Sequence, residues 1–400
     1  MRFEEQTDRL PRPTTSAGEG HRRKIVYNSF NGRYSDNPRA LYEALVRSGS
    51  GDEHVWLCDK HHAHGFPADA PRVPIDSDAA RRALEDADLV VANTHIEQDW
   101  VKAPGAVYLQ TWHGTPLKRI HYDVLWAPPG RLTTLDRDVA RWDLLLSPNA
   151  ASNDRLRGAF AFSGPVPDIG YPRNDVLSSP NASAVRARVR ADLGLGEDTV
   201  AVLYTPTWRD DEFFTDGAPP ARQALDLDLF VTELGDGYRL LPRLHYMMTE
   251  REGPLPATGV TSVSRYPDVH ELYLAADVMV TDYSSTMFDF AVTGKPIIYY
   301  TYDLEQYRDA IRGVYFDLRP VAPGPLVDST EGVIAALRDL PALTLEFAER
   351  YVDFQRTFCS LDDGHATDRV LQLVDKELSG SGAVSGPSLE PRLEPALEPR

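Results

Sequence analysis

Short, uniformly apolar runs recur along this chain. Each ends in a cluster of polar residues and leads into a longer stretch whose apolar positions return every few residues. A run that is apolar at every position suits a strand covered on both faces, as in a parallel sheet, and the longer period suits the helices that cover it. On this reading, strands lie at Lys24–Ser29, His54–Cys58, Leu89–Ala92, Ala106–Gln110, Leu144–Ser147 and Val166–Ile169. A second series follows at Val200–Thr205, Tyr238–Leu244, Val260–Ser262, Val278–Thr281 and Ile297–Tyr300. Asn37-Pro38 supplies a cap and a first-turn proline for a helix reaching about Val46. Further helices are expected at Ala182–Leu193, Met287–Thr293, Leu343–Arg356 and His365–Leu378.

The expected fold class is therefore α/β, with two Rossmann-like, doubly wound halves facing a cleft and meeting near residues 178–195. The last helices are expected to cross back and brace the first half. The expected division is an N-terminal segment at 1–23, domains at 24–180 and 181–356, a crossing helix at 357–378 and a tail at 379–400. Both ends are rich in Gly, Pro, Ser and charge, and the tail repeats Leu-Glu-Pro, so both are expected to be disordered.

Composition narrows the function. Four hundred residues, 42% of them hydrophobic, suffice for two buried cores. Lys and Arg total 42 against 60 Asp and Glu, and the net charge of −18 argues against nucleic acid as a partner and against a generally basic membrane face. Two cysteines, Cys58 and Cys359, support neither a disulfide framework nor a cysteine zinc site. The first residues lack the apolar core of a secretion signal, and no run approaches the roughly 18 apolar residues of a spanning helix. A cytoplasmic protein that meets membranes only peripherally is expected.

Candidate chemistry gathers where strands end. Thr111-Trp112-His113-Gly114-Thr115-Pro116-Leu117-Lys118 follows an apolar run, which is where open α/β sheets place their ligands. Gly114 permits a tight turn, Thr115-Pro116 can open a helix, and Lys118 adds positive charge, a set suited to an anionic ligand. In the second half, Thr281-Asp282-Tyr283-Ser284-Ser285 runs from a strand to a helix N-terminus, with hydroxyls and free amides fit for phosphate. Arg209, after Tyr204-Thr205-Pro206-Thr207-Trp208, either clamps a diphosphate or forms a salt bridge in a surface loop, and Arg243 and His245 close the next strand on one face. Gly170-Tyr171-Pro172-Arg173-Asn174-Asp175 either lines the cleft or forms the turn between domains, and Arg312-Gly313-Val314-Tyr315-Phe316-Asp317 either holds a base and ribose or edges the core. His61, His62 and His64 lack a carboxylate at metal-binding spacing, so no metal is expected. Arg131, Arg137 and Arg141 are candidates for a small cationic rim. No Walker loop, GxGxxG, HExxH or CxxC is present.

Taken in order, IVYNSFNGRYSDNPRALYEAL, TWHGTPLKRI, SPNA, GYPRND, YTPTWRD, RLH, TDYSSTMFDF and RGVYFDL resemble the CDP-glycerol glycerophosphotransferase family of wall teichoic acid enzymes, over about residues 24–340. The resemblance implies a GT-B fold, with the acceptor mainly on the first domain and the nucleotide donor mainly on the second. It implies transfer of glycerol phosphate or a related polyol phosphate from a CDP-alcohol to a hydroxyl of a lipid-linked polyprenyl-diphosphate glycan acceptor. CMP is released at the inner face of the membrane, with no cofactor beyond the donor. It maps the family's general base onto His113 and its second histidine onto His245, at the donor phosphates. Gly114, Thr115, Lys118, Arg209, Arg243, Asp282, Ser284 and Ser285 are then the expected substrate-binding residues. The family's proline after the second histidine is Tyr246 here, a departure at that turn. The residues leave glycerol and ribitol undivided. They also leave open a GT-B glycosyltransferase using a nucleotide sugar and a catalytically silent precursor-binding module.

Overall fold

A computed structural model describes residues 22–125, 130–207, 209, 224–245, 253 and 255–380. Most of the two expected terminal extensions, together with Trp208 and Tyr246, lies outside the described residues.

Every strand pairing in the two described sheets is parallel. The first sheet contains β1 (Lys24–Asn28), β2 (Glu53–Cys58), β3 (Arg72–Pro74), β4 (Leu89–Ala92), β5 (Val107–Gln110) and β6 (Leu144–Leu145), in the order β3-β2-β1-β4-β5-β6. The second contains β7 (Val200–Thr205), β8 (Tyr238–Pro242), β9 (Val278–Thr281), β10 (Ile297–Tyr300) and β11 (Leu326–Val327), in the order β11-β10-β9-β7-β8. Both are doubly wound orders, with reversals between β1 and β4 and between β7 and β9, where crevices open beyond the carboxyl ends.

Side chains alternate across each strand and so feed two cores per sheet. In β1, Ile25 and Tyr27 enter one apolar cluster and Val26 the other. In β7, Ala201 and Leu203 face one cluster while Val202 and Tyr204 face the other.

Several elements depart from the sequence reading. Val166–Ile169 forms no full strand, because Pro165 and Pro167 have no N–H to give. Their carbonyls accept from Leu145 and Ser147, but the pairing is reduced to a single bridge between Ser147 and Asp168. Val260–Ser262 is likewise one bridge, Leu240 to Val260. The stretch expected as one helix at Leu343–Arg356 is two, Leu340–Glu346 and Ala348–Phe358, and the second packs Phe354 and Phe358 into the core beneath the second sheet. The final helix, Ala366–Leu378, does cross back, burying Val370 and Val374 among the side chains of the first sheet. Asp175 fixes its start by accepting from the amides of Ala366 (2.9 Å) and Thr367 (2.8 Å).

A candidate active site between the two sheets

The loop after β5 is built around a strained residue. Trp112 has φ +53°, in the left-handed region, and its amide donates to the Gln110 side chain at 2.9 Å. This kink turns His113 so that its Nδ1 lies 2.6 Å from the Asn93 carbonyl, beyond the end of β4. A carbonyl only accepts, so Nδ1 carries the proton and Nε2 keeps its lone pair, the arrangement of a base. The ring is wedged between Trp112 (centroids 4.1 Å apart) and Phe30 (5.2 Å). Burial lowers the His113 pKa to about 4, against the raising effects of the Asn93 hydrogen bond and Asp36, so the imidazole is neutral near pH 7.

The helix expected to open at Thr115-Pro116 is absent. Instead Lys118 makes an antiparallel bridge to Val314, the Tyr315 amide donates to the Leu117 carbonyl (2.8 Å), and the Arg119 amide donates to the Gly313 carbonyl (3.1 Å). The RGVYFD segment of the second half is therefore a strap on the TWHGTPLK loop. Gly313, at φ +78°, sits close enough that a Cβ would meet Arg119 Cδ at 2.9 Å.

At Gly114 the two loops come close together, since a Cβ there would lie 2.7 Å from Ser285 Oγ. Ser285 precedes the helix Thr286–Ala291 and caps it with no side-chain bond. Ser284 Oγ accepts from the Thr286 hydroxyl at 3.0 Å. His245 comes from the end of the β8 segment. Burial lowers its pKa to about 3, and Lys118, His113, Arg33 and Arg312 add to the effect. His113, Gly114, Lys118, His245 and Ser285 thus converge from both halves, and the cationic side chains around His245 form a field that an anion would relieve.

Other residues singled out in the sequence are engaged with the protein itself. Thr115 Oγ1 accepts from Asn149 Nδ2 at 3.1 Å. Arg243 donates to the carbonyls of Val263 and Tyr266 (2.9 and 2.8 Å). Arg209 pairs with Asp282 (3.0 Å) and with both oxygens of Asp303 (2.8 and 3.0 Å), and lies against the rings of Tyr283, Tyr302 and Tyr307. Asp282 also accepts the Thr207 amide at 2.9 Å, so Arg209 and Asp282 shape the turn at the head of β9. Arg131 pairs with Glu97 (2.7 Å), and Arg141 covers the Trp100 ring, which offsets the expected cationic rim. Among the described residues no His, Cys, Asp and Glu cluster fits a metal, and no helix is long and apolar enough to cross a membrane.

Sequence reasoning passed over Asn93, held Arg33, Asp36 and Asp289 only as letters of longer motifs with no role of their own, and left Arg173 between the cleft and the turn. Arg173 is buried between Asp36 (2.5 Å) and Asp289 (2.8 Å) and donates to the His113 carbonyl at 2.9 Å. Asp36 has φ +62°, an unusual backbone at the start of a helix and a visible signal only once the structure is in hand.

Two doubly wound sheets, with a neutral histidine and a cationic cluster between their carboxyl ends, describe an α/β protein whose crevice suits an anionic ligand. The family model for CDP-Glycerol:Poly(glycerophosphate) glycerophosphotransferase matches residues 16–376, and the chain belongs to this family of transferase enzymes. It is 38% identical over 363 residues to the teichoic acid glycerol-phosphate transferase of Staphylococcus aureus (strain NCTC 8325 / PS 47), covering 88% of this chain and 92% of that protein. It is 35% identical over 367 residues to the teichoic acid poly(glycerol phosphate) polymerase of Bacillus subtilis (strain 168), covering 89% of this chain but 49% of that protein, so it spans about half that relative's length. The solved structure of the wall teichoic acid polymerase TagF superposes with a TM-score of 0.80 at 34% identity, covering 90% of each chain.

Proposed function

We propose that this chain transfers glycerol phosphate from CDP-glycerol to a hydroxyl of a lipid-linked wall-polymer acceptor, releasing CMP. In this reading the molecule is a GT-B enzyme with domains at 24–180 and 181–356, the acceptor held mainly by the first and the donor by the second. Its work lies at the inner face of the membrane, to which the acceptor's lipid holds it peripherally. The observation that carries the reading is the convergence of His113 and His245, from opposite halves, in one electrostatic environment with Lys118. Glycerol is favoured over ribitol because the glycerol-phosphate transferase matches at 38% over 88% of the chain, whereas a poly(ribitol-phosphate) polymerase matches at 28% over 66%. A TagF variant was solved after a soak with CDPG, and it superposes on this chain with a TM-score of 0.79 at 33% identity.

His113 Nε2 takes the proton of the acceptor hydroxyl as its oxygen forms a bond to the donor phosphorus distal to cytidine. The bond from that phosphorus to the bridging oxygen breaks, and CMP leaves with the electron pair. Lys118, His245, Arg33, Arg312 and the Ser284–Ser285 turn face the charge that accumulates on the diphosphate. The His113 pKa of about 4 is that set by the protein alone. A bound diphosphate favours the protonated ring and raises that pKa towards the working pH, making a stronger base where one is needed.

The test is CMP release with CDP-glycerol and a short lipid-linked acceptor analogue. His113→Ala is expected to lose roughly 10²–10⁴-fold in turnover with the fold retained, and near-normal turnover would remove the base from the scheme. The acid limb of kcat/KM should fall near the free-site value of about 4, and that of kcat should lie higher. Turnover with UDP- or GDP-sugars, and none with CDP-alcohols, would favour a glycosyltransferase instead.

A further inference from the structure

We propose that Arg173 is a positioning residue for this transfer: clamped between Asp36 of the first half and Asp289 of the second, its guanidinium holds the His113 backbone in register with the Ser284–Ser285 turn. The inference rests on His113 being the base. The geometry is that of a single node. Arg173 Nη1 donates to Asp36 (2.5 Å) and to the His113 carbonyl (2.9 Å), while Nη2 donates to Asp289 at 2.8 Å. Asp289 belongs to the helix that begins directly after Ser285. The same helix is therefore held at its start against Gly114 and at Asp289 against Arg173.

The backbone of Arg173 completes the hold. Its amide donates to Asn37 Oδ1 (3.1 Å), and Asn37 Nδ2 donates to the Trp112 carbonyl at 3.2 Å. The carbonyls of Trp112 and His113, in the two successive peptide planes that flank the His113 Cα, are thus both gripped from this node. Left-handed backbone such as that of Trp112 persists only where its surroundings over-determine it. Asn174 extends the node, donating to Asp289 (3.1 Å) and Asp362 (2.9 Å) and bonding His270 Nε2 through its carbonyl oxygen (3.0 Å). Lysine has neither the planar fork nor enough donors in fixed directions to reach Asp36, Asp289 and the carbonyl together.

The charged and titratable groups facing His113 are Asp36, which raises its pKa, and Arg173 and His95, which lower it; His245 shares its field from the second half. Removing the Arg173 charge must therefore raise the His113 pKa and removing the Asp36 charge must lower it, which checks that the node lies against the ring, while the kcat loss in the charge-retaining Arg173→Lys separates positioning from charge.

Two measurements decide the matter. With CDP-glycerol and the acceptor analogue, Arg173→Lys is expected to lose about 10²-fold in kcat, the scale of a displaced reacting group, while KM for the donor changes by less than about threefold. An NMR titration of the His113 ring should move up in Arg173→Gln, down in Asp36→Asn and little in Arg173→Lys. Unchanged kcat in Arg173→Lys, or a His113 titration indifferent to both charge-removing variants, overturns the proposal even if the proteins melt earlier. Should the Arg173 variants not fold, Asp289→Ala leaves the guanidinium on Asp36 and the carbonyl but removes the acceptor on the second half. It is expected to lower kcat with donor affinity retained, and an unchanged kcat there overturns the proposal as well. A wild-type protein that releases no CMP would defeat the functional reading, while the ring titration would still decide the electrostatic role of Arg173.

Discussion

At the scale of single residues, the site depends as much on a missing side chain as on the side chains present. Gly114 lies so near Ser285 that a methyl group would sit 2.7 Å from Oγ and 2.9 Å from Cβ. Gly114→Ala is expected to push the two loops apart at a cost of about 1–3 kcal/mol and to lower turnover at least tenfold. Adding Ser285→Gly removes the opposing atoms, so the double variant should recover the melting temperature that Gly114→Ala loses, whatever the missing hydroxyl does to turnover. Strictly additive losses in melting temperature would show that the two loops do not meet. His113 and His245 were legible in the sequence because each follows an apolar strand, where topology puts ligands. The Arg173 node was not, because its carboxylates lie 137 and 116 residues away and no local spacing announces them. Arg209 was read as a diphosphate clamp from its place at a strand end, yet only the fold reveals that Asp282 and Asp303 already occupy its donors.

At the scale of elements, the long central strands could be read from composition, since β1, β4, β5, β7, β9 and β10 are apolar runs buried at nearly every position. The edge strands β3 and β11, of three and two residues, are too short to carry a pattern. Val166–Ile169 had the pattern but lost two donors to proline. The crossing helix Ala366–Leu378 owes its start to Asp175, whose two carboxylate oxygens take its first free amides. Asp175→Ala should therefore cost about 1 kcal/mol of stability, visible as a lower melting temperature, and Asp175→Asn should recover part of it. An unchanged melting temperature in Asp175→Ala would mean that the helix is set by its apolar face alone.

At the scale of the whole molecule, three imidazoles, His121 buried and His113 and His245 half-buried, lead the response to acid, opposed by the Asp362 carboxyl, which desolvation raises to about 7. Burial lowers the pKa of His113 to about 4 and of His121 and His245 to about 3, against roughly 6.5 in an unfolded chain. Below pH 6.5 the unfolded chain binds the protons first, so stability is complete above that value and falls with pH until the folded values are reached. The slope is up to about tenfold in the folding equilibrium per pH unit for each histidine. The urea midpoint should drop steeply between pH 7 and 5, and His121→Gln, which leaves the proposed base in place, should flatten the drop. A midpoint constant across that range would contradict the burial of these rings.

The crossing helix also orders events in time. Val370 and Val374 share one apolar cluster with Ile25, Tyr27 and Leu109, so one face of the sheet made first is finished by nearly the last residues described. During synthesis the nascent chain carries that face uncovered while the whole second half is made and folds, a long wait with apolar surface exposed. A ribosome-bound chain stalled short of residue 366 should consequently depend on chaperones, and the two halves become one catalyst only once translation has passed the helix that joins them.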